Sequence, residues 1–193
     1  MRAEIAREAA MQIQTRLLTY DDLLQTPDDG NRYEIIGGEL IVPPSPEWNH
    51  QRCAYLLTRL IGDYVDSRQL GQVFFSPNDV RLSPHDIVEP DLIYIRADRL
   101  DIYRGRKAVQ GEPDLVVEII SPSSRKTDPG RKFDLYAASG IPEYWLVDPV
   151  TRRFQLFVLC DDGYVSVAEV DGRLHSEAIP GLVVDPAALF AAL

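Results

Sequence analysis

The sequence predicts an α/β (α+β) fold in which a mixed β-sheet is flanked by helices and supplemented by β-hairpins. Three observations predict it. An apolar stripe at helical spacing runs from about Glu47 to Ser67, short β-branched and aromatic runs are separated by turn residues, and a second amphipathic helix from Asp128 to Ser139 falls between two of those runs.

Residues 1–16 alternate charges with small apolar residues and read as a polar helix or a frayed extension, so one domain is expected over 19–193, with 1–18 as an N-terminal extension. Thr19 followed three positions later by Asp22 predicts a short capped helix that stops before Pro27. Arg32–Ile36, Gly37-Gly38 and Glu39–Val42 predict a hairpin, because paired glycines supply the positive φ of a two-residue turn. The rigid Pro43-Pro44-Ser45-Pro46 loop ends it. The long helix follows, with Cys53, Leu56, Leu57, Leu60, Ile61 and Tyr64 on one stripe and Gly71 as its expected stop. Strands are expected at Val73–Phe75, Val80–Leu82, Asp91–Ile95 and Asp114–Ile120, with a basic loop or short helix between the last two. Beyond the second helix, capped at Gly140, come strands at Glu143–Asp148, Phe154–Leu159 and Tyr164–Val170, and a short helix after Asp185-Pro186.

The formal charge of -10 argues against broad electrostatic coating of nucleic acid, which depends on many Lys and Arg contacts to phosphate. Basic residues cluster locally instead. Arg96, Arg99, Arg104, Arg106 and Lys107 form one group, and Arg125, Lys126, Arg131 and Lys132 another; both flank the acidic strand and read equally as solvated loops. The two cysteines, Cys53 and Cys160, have neither zinc spacing nor the number of a disulfide framework. No secretory leader and no apolar run near the ~20 residues of a membrane span is visible. A soluble cytoplasmic protein is the expectation.

EPDL occurs twice, at Glu89–Leu92 and Glu112–Leu115, and the second copy runs into Val116-Val117-Glu118-Ile119-Ile120. An acid inside an apolar strand needs a cation, a basic partner or a raised pKa. Asp91 opens the preceding strand, and if the two strands pair, at about 4.8 Å, both carboxylates can share one face and one ion. Magnesium takes hard oxygen ligands and commonly only one or two carboxylates. Lys132, in the first turns of the second helix, would then position water or counter charge on the phosphoryl group; alone, it reads as a solvated surface lysine. Glu34 reads as an accessory acid or as an outward hairpin residue, the alternation favouring the latter. His50 reads as a water- or phosphate-binding accessory or as a surface histidine at a helix start. Asp114 lies about 13 Å along the strand from Glu118 and reads as a strand-start residue. Tyr136, Tyr144 and Trp145 read as core aromatics. Ser123-Ser124-Arg125-Lys126 fits the loose S-x-x-K pattern but lacks its companion motifs.

The stretch GEPDLVVEIISPSSRKTDPGRKFDLYAASGIPEYWLVDP, with the YE-I-GGEL hairpin and the proline loop leading to Asn49-His50, resembles the Uma-two family, a bacterial branch of the restriction-endonuclease-like PD-(D/E)XK nuclease superfamily. The resemblance implies a restriction-endonuclease-like core and a Mg2+-dependent (or Mn2+-dependent) endodeoxyribonuclease. It implies Asp91 and Glu118 as metal ligands and Asp91, Glu118 and Lys132 as the catalytic set. The superfamily's lysine two residues beyond the acid would fall on Ile120, so its role passes to Lys132. DNA is the implied partner, with Arg125, Lys126 and Arg131 as phosphate contacts and a homodimer suited to cutting both strands. The alternative is an interaction module that keeps the nuclease fold without cleavage.

Overall fold

The computed structural model describes residues 16–121 and 129–193; most of the expected N-terminal extension, and Arg125, Lys126 and Asp128, lie outside the described residues. Helix α1 (Tyr20–Leu23) starts where expected, the Asp22 carboxylate accepting from the Thr19 amide at 2.8 Å and its hydroxyl at 3.0 Å. Strands β1 (Glu34–Ile36) and β2 (Glu39–Ile41) form the predicted hairpin, with φ of 60° and 77° at Gly37 and Gly38. Helix α2 (Trp48–Arg68) buries His50, Cys53, Leu57, Ile61 and Val65, a stripe that recurs every three to four residues. It ends at Gln69 in the left-handed conformation, not at Gly71, which opens β3 (Gly71–Phe75).

The central six-stranded sheet has the order β11-β10-β9-β8-β6-β3, where β6 is Leu92–Arg96, β8 Leu115–Ile119, β9 Glu143–Asp148, β10 Arg153–Cys160 and β11 Gly163–Ser166. It is mixed, since β8 and β9 run parallel while β6 and β8 are antiparallel. Helix α3 (Pro129–Ala138) supplies the crossover that a parallel pair needs, and the Gly140 and Ile141 amides close its C-terminus on the carbonyls of Ala137 and Tyr136. Strand β11, the sheet's outer strand, is shorter than the Tyr164–Val170 strand expected.

The second sheet, β2-β1-β5-β4-β7, comprises the hairpin, β4 (Val80–Ser83), β5 (Asp86–Val88) and β7 (Val109–Gln110). Strands β5 and β7, and the pair β12 (Leu174–His175) and β13 (Val183–Val184), are two or three residues long and carry too little pattern to be read from sequence. Helix α4 (Pro186–Ala191) is capped by Asp185 as expected.

Strand alternation divides the core. Leu115, Val117 and Ile119 pack with Cys53, Leu57 and Ile61 of α2 on one face, whereas Val116 packs with Tyr136 and Tyr144 on the face that α3 and the second sheet cover. The site lies where this second face meets the hairpin.

Candidate active site

Register delivers the two acids to one place. Leu92 pairs with Val117 and Ile93 with Val116, so one further step sets Asp91 opposite Glu118. The Ile119 amide donates to Asp91 Oδ2 at 2.8 Å and fixes that end of the pair. Glu118 alternates with Val116 and therefore points toward α3. Lys132 and Tyr136 stand one turn apart on that helix and both reach Glu118 Oε1, at 2.9 Å and 2.6 Å. Lys132 Nζ also donates to Glu34 Oε1 at 2.8 Å. Asp91, Glu118, Lys132 and Glu34 line a cleft of about 310 Å3 between the sheet and the proline loop.

The electrostatics follow from burial. Glu118 is pushed up to about 6, first by burial, with the Lys132 ammonium opposing and the nearby Asp91 and Glu34 carboxylates adding to the rise. Burial acts to lower the pKa of Lys132, but Glu118 and Glu34 outweigh it and hold the amine above its ordinary value, so it is an ammonium at neutral pH. Burial alone would raise Asp91; His50, the Ile119 amide and Arg32 reverse that and hold it below the usual carboxylate range. Tyr136, raised well above its normal value by burial and the two glutamates, stays a phenol and a donor.

Asp91, Glu118 and Lys132 thus line one cleft, and Glu34 and His50 join them in ways that correct the sequence expectation. Glu34 is only 2% exposed. Its strand is covered on both sides, with Ile35 in one core cluster and Ile36 in another, so alternation does not carry Glu34 to solvent. Its Oε1 accepts from both Lys132 and the Glu89 amide. His50 is 6% exposed, not a surface residue, because it continues the buried stripe of α2 three positions before Cys53. Its Nε2 meets Asp91 Oδ2 at 3.0 Å, and its Nδ1 is buried with no hydrogen-bond partner among the described residues.

Arg131 lies on the cleft wall with its guanidinium tied to the Ile36 carbonyl and to Glu39. No residue of the first basic group lines the cleft: Arg96 pairs with Asp98, and Arg99 with Asp114 and Glu112, so these two charges serve the turn that follows β6. Three further site residues escaped the sequence reading. Arg32 Nη1 stands 3.4 Å from Asp91 and 3.5 Å from Glu89, all three on the cleft wall, while Tyr136 lies buried behind Glu118 and donates to it. Glu89 sits in the same EPDL unit as Asp91, which was the available signal.

Among the described residues no three His, Cys, Asp or Glu side chains form a ready-made metal cage. What the cleft offers is a pair of facing carboxylates, Glu118 in β8 and Asp91 just before β6, with the Lys132 and Tyr136 hydrogen bonds to Glu118 both taken by Oε1 and, among the described residues, none by Oε2. An oxygen-only pair of this kind fits magnesium or manganese, whose remaining positions are commonly filled by water and phosphate.

The fold has a restriction-endonuclease-like core, and the comparisons describe a nuclease-like protein. A crystal structure of a "putative nuclease" from Anabaena variabilis superimposes with a TM-score of 0.76 at 21% identity, covering 91% of this chain and 98% of that one. The uncharacterized protein sll1609 of Synechocystis is 28% identical over 164 residues, 82% of this chain and 90% of the relative. The chain belongs to the Uma2 family, whose description is "Putative restriction endonuclease" and whose model matches residues 20–187. No helix among the described residues is long and apolar enough to cross a membrane.

Proposed function

We propose that this protein is a metal-dependent endonuclease that hydrolyses DNA phosphodiester bonds through Asp91, Glu118 and Lys132. The observation that carries the reading is the Lys132 ammonium 2.9 Å from Glu118, which itself faces Asp91, the residue that leads into the adjoining strand. Magnesium or manganese held by the two carboxylates would supply Lewis-acid neutralisation of phosphoryl charge and a more acidic water.

The chain's own residues divide the remaining work. Lys132 is protonated, so it contributes positive charge and a directed N–H at the phosphoryl group and accepts no proton. Arg32, at the mouth beside Asp91, meets the anionic strand. His50 and the Ile119 amide hold Asp91 ionised and oriented. The Pro43–Pro46 loop closes one side of the cleft and limits water.

A non-cleaving interaction module is the second reading. It is favoured by the Glu34 contact, which lets Lys132 act as the centre of a structural ion cluster. Plasmid and single-stranded DNA are incubated with Mg2+ or Mn2+ and wild-type protein, Glu118→Ala or Lys132→Ala. The nuclease reading expects metal-dependent cutting that drops by about 100-fold or more in each variant. Cutting equal in all three proteins removes the site, and binding with no cutting leaves the module.

A further inference from the structure

A second cavity, of about 440 Å3, adjoins the catalytic cleft. Pro43, Pro44, Pro46, Arg32, His50 and Asp91 belong to the walls of both, so the two are chambers on either side of one partition. The outer wall of the second chamber carries two large rings, Tyr55 of α2 and Phe75 at the end of β3, which are 52% and 61% exposed. Single exposed apolar side chains are ordinary, but here two aromatic rings open onto one cavity beside a site for phosphate chemistry.

The outer face of α2 extends that surface. Trp48, Arg52, Tyr55 and Arg59 recur at three- and four-residue steps and so share a face, Trp48 being 91% exposed. The guanidinium of Arg52 lies 5.5 Å and that of Arg59 5.9 Å from the centre of the Tyr55 ring. The stripe alternates positive charge with aromatic faces, the combination that holds unpaired nucleic acid. In a chain of net charge -10 it is a local exception.

Resting on the nuclease reading above, we infer that the second cavity is a base-binding subsite and that the substrate is single-stranded DNA. The base next to the scissile phosphate enters the chamber and stacks on Phe75 and Tyr55, Arg32 bridges to the backbone at the partition, and the strand leaves along α2. The chamber's volume suits one small group, falling in the ~300–1,000 Å3 range of small-ligand pockets. Duplex DNA does not meet these demands. A paired base has both faces covered by its neighbours and offers none to a ring. Duplex affinity also comes largely from neutralised phosphates, which an acidic protein with one narrow basic stripe supplies poorly. Stacking is insensitive to net charge and is worth about tenfold in affinity per base.

The full chain, free of divalent metal, is titrated with an oligothymidylate of about ten nucleotides and with a hairpin duplex of equal length, following tryptophan emission. Trp48 lies on the stripe and reports contact, whereas Trp145 is 0% exposed and silent. The single strand is expected to quench Trp48 and to bind at least tenfold more tightly than the duplex, and Phe75→Ala and Tyr55→Ala each to weaken it about tenfold. With metal added, the same substitutions raise KM and leave kcat in place. Duplex bound or cut as well as single strand overturns the subsite while leaving the nuclease reading intact. Unchanged single-strand binding in both ring variants also overturns it. Ring-dependent binding without cleavage supports the subsite and counts against the catalytic reading, and no binding of either DNA overturns both.

Discussion

Lys132 Nζ lies 2.9 Å from Glu118 Oε1 and 2.8 Å from Glu34 Oε1, which makes one ammonium the counter-charge for two carboxylates largely removed from water. Removing it strands both acids. Breaking a buried pair by deleting one partner costs about 3–5 kcal/mol, far more than the pair's net contribution, because the remaining charge keeps its desolvation penalty. Lys132→Met is therefore expected to lower the urea unfolding free energy by about 3 kcal/mol. Adding Glu34→Gln to it should recover part of that loss. An unchanged urea midpoint in Lys132→Met would show that the amine does not neutralise the acids.

The same cluster sets a pH dependence. The Glu118 pKa rises from an ordinary 4.5 to about 6 in the folded protein. The folded state thus holds that proton more tightly than the unfolded chain. Its stabilising contribution is fully present below 4.5 and is lost as pH rises through about 6, a change of about 2 kcal/mol. Without metal, the stability difference between wild type and Glu118→Gln should shift against wild type by about that amount between pH 4 and 7. Denaturant titrations at several pH values read it directly. A difference that is flat, or that moves in favour of wild type, contradicts a raised Glu118.

How much of this was legible depends on how local the cause is. The Gly37-Gly38 turn, the β9 strand and the Asp185 cap follow from residues next to one another, and each was readable. Glu118 stood out because its valine and isoleucine neighbours declare burial. Glu34 did not, because what buries it arrives from elsewhere: Lys132 is 98 residues further on and the Glu89 amide 55. Arg32 has the same difficulty, reaching Asp91 across 59 positions. For His50 a local clue existed in its spacing from Cys53, and a helix-start position concealed it.

His50 and Asp91 form a second buried couple, Nε2 to Oδ2 at 3.0 Å, that bridges α2 to the sheet. If His50 acts by holding Asp91, the two substitutions cannot be independent. A double-mutant cycle with His50→Ala and Asp91→Asn should give a coupling of about 1–3 kcal/mol in unfolding free energy. Cleavage by the double variant should be no worse than by Asp91→Asn alone. Additive losses in both measurements would separate the two residues.

Glu143 tests the rule that a buried acid marks a site. It begins β9, is 1% exposed, and looks in sequence much like Glu118, with Tyr144, Trp145, Leu146 and Val147 behind it. Its environment is different in kind. Oε1 accepts from Trp145 Nε1 at 2.6 Å and Ser176 Oγ at 2.7 Å, while Oε2 accepts from the Glu177 and Ala178 amides at 2.6 Å and 2.9 Å. Both oxygens are fully occupied by the protein's own donors, so no valence faces a cleft, and the carboxylate pins the connection between β12 and β13 to the sheet. Glu143→Ala leaves those four donors unsatisfied and should cost about 3 kcal/mol or more in urea unfolding. Cleavage by the folded variant, measured well below its melting temperature, should match wild type. Loss of cutting in a folded Glu143→Ala protein would extend the functional site to this acid, whereas loss of stability alone separates an acid bound to protein donors from one left free to take a ligand.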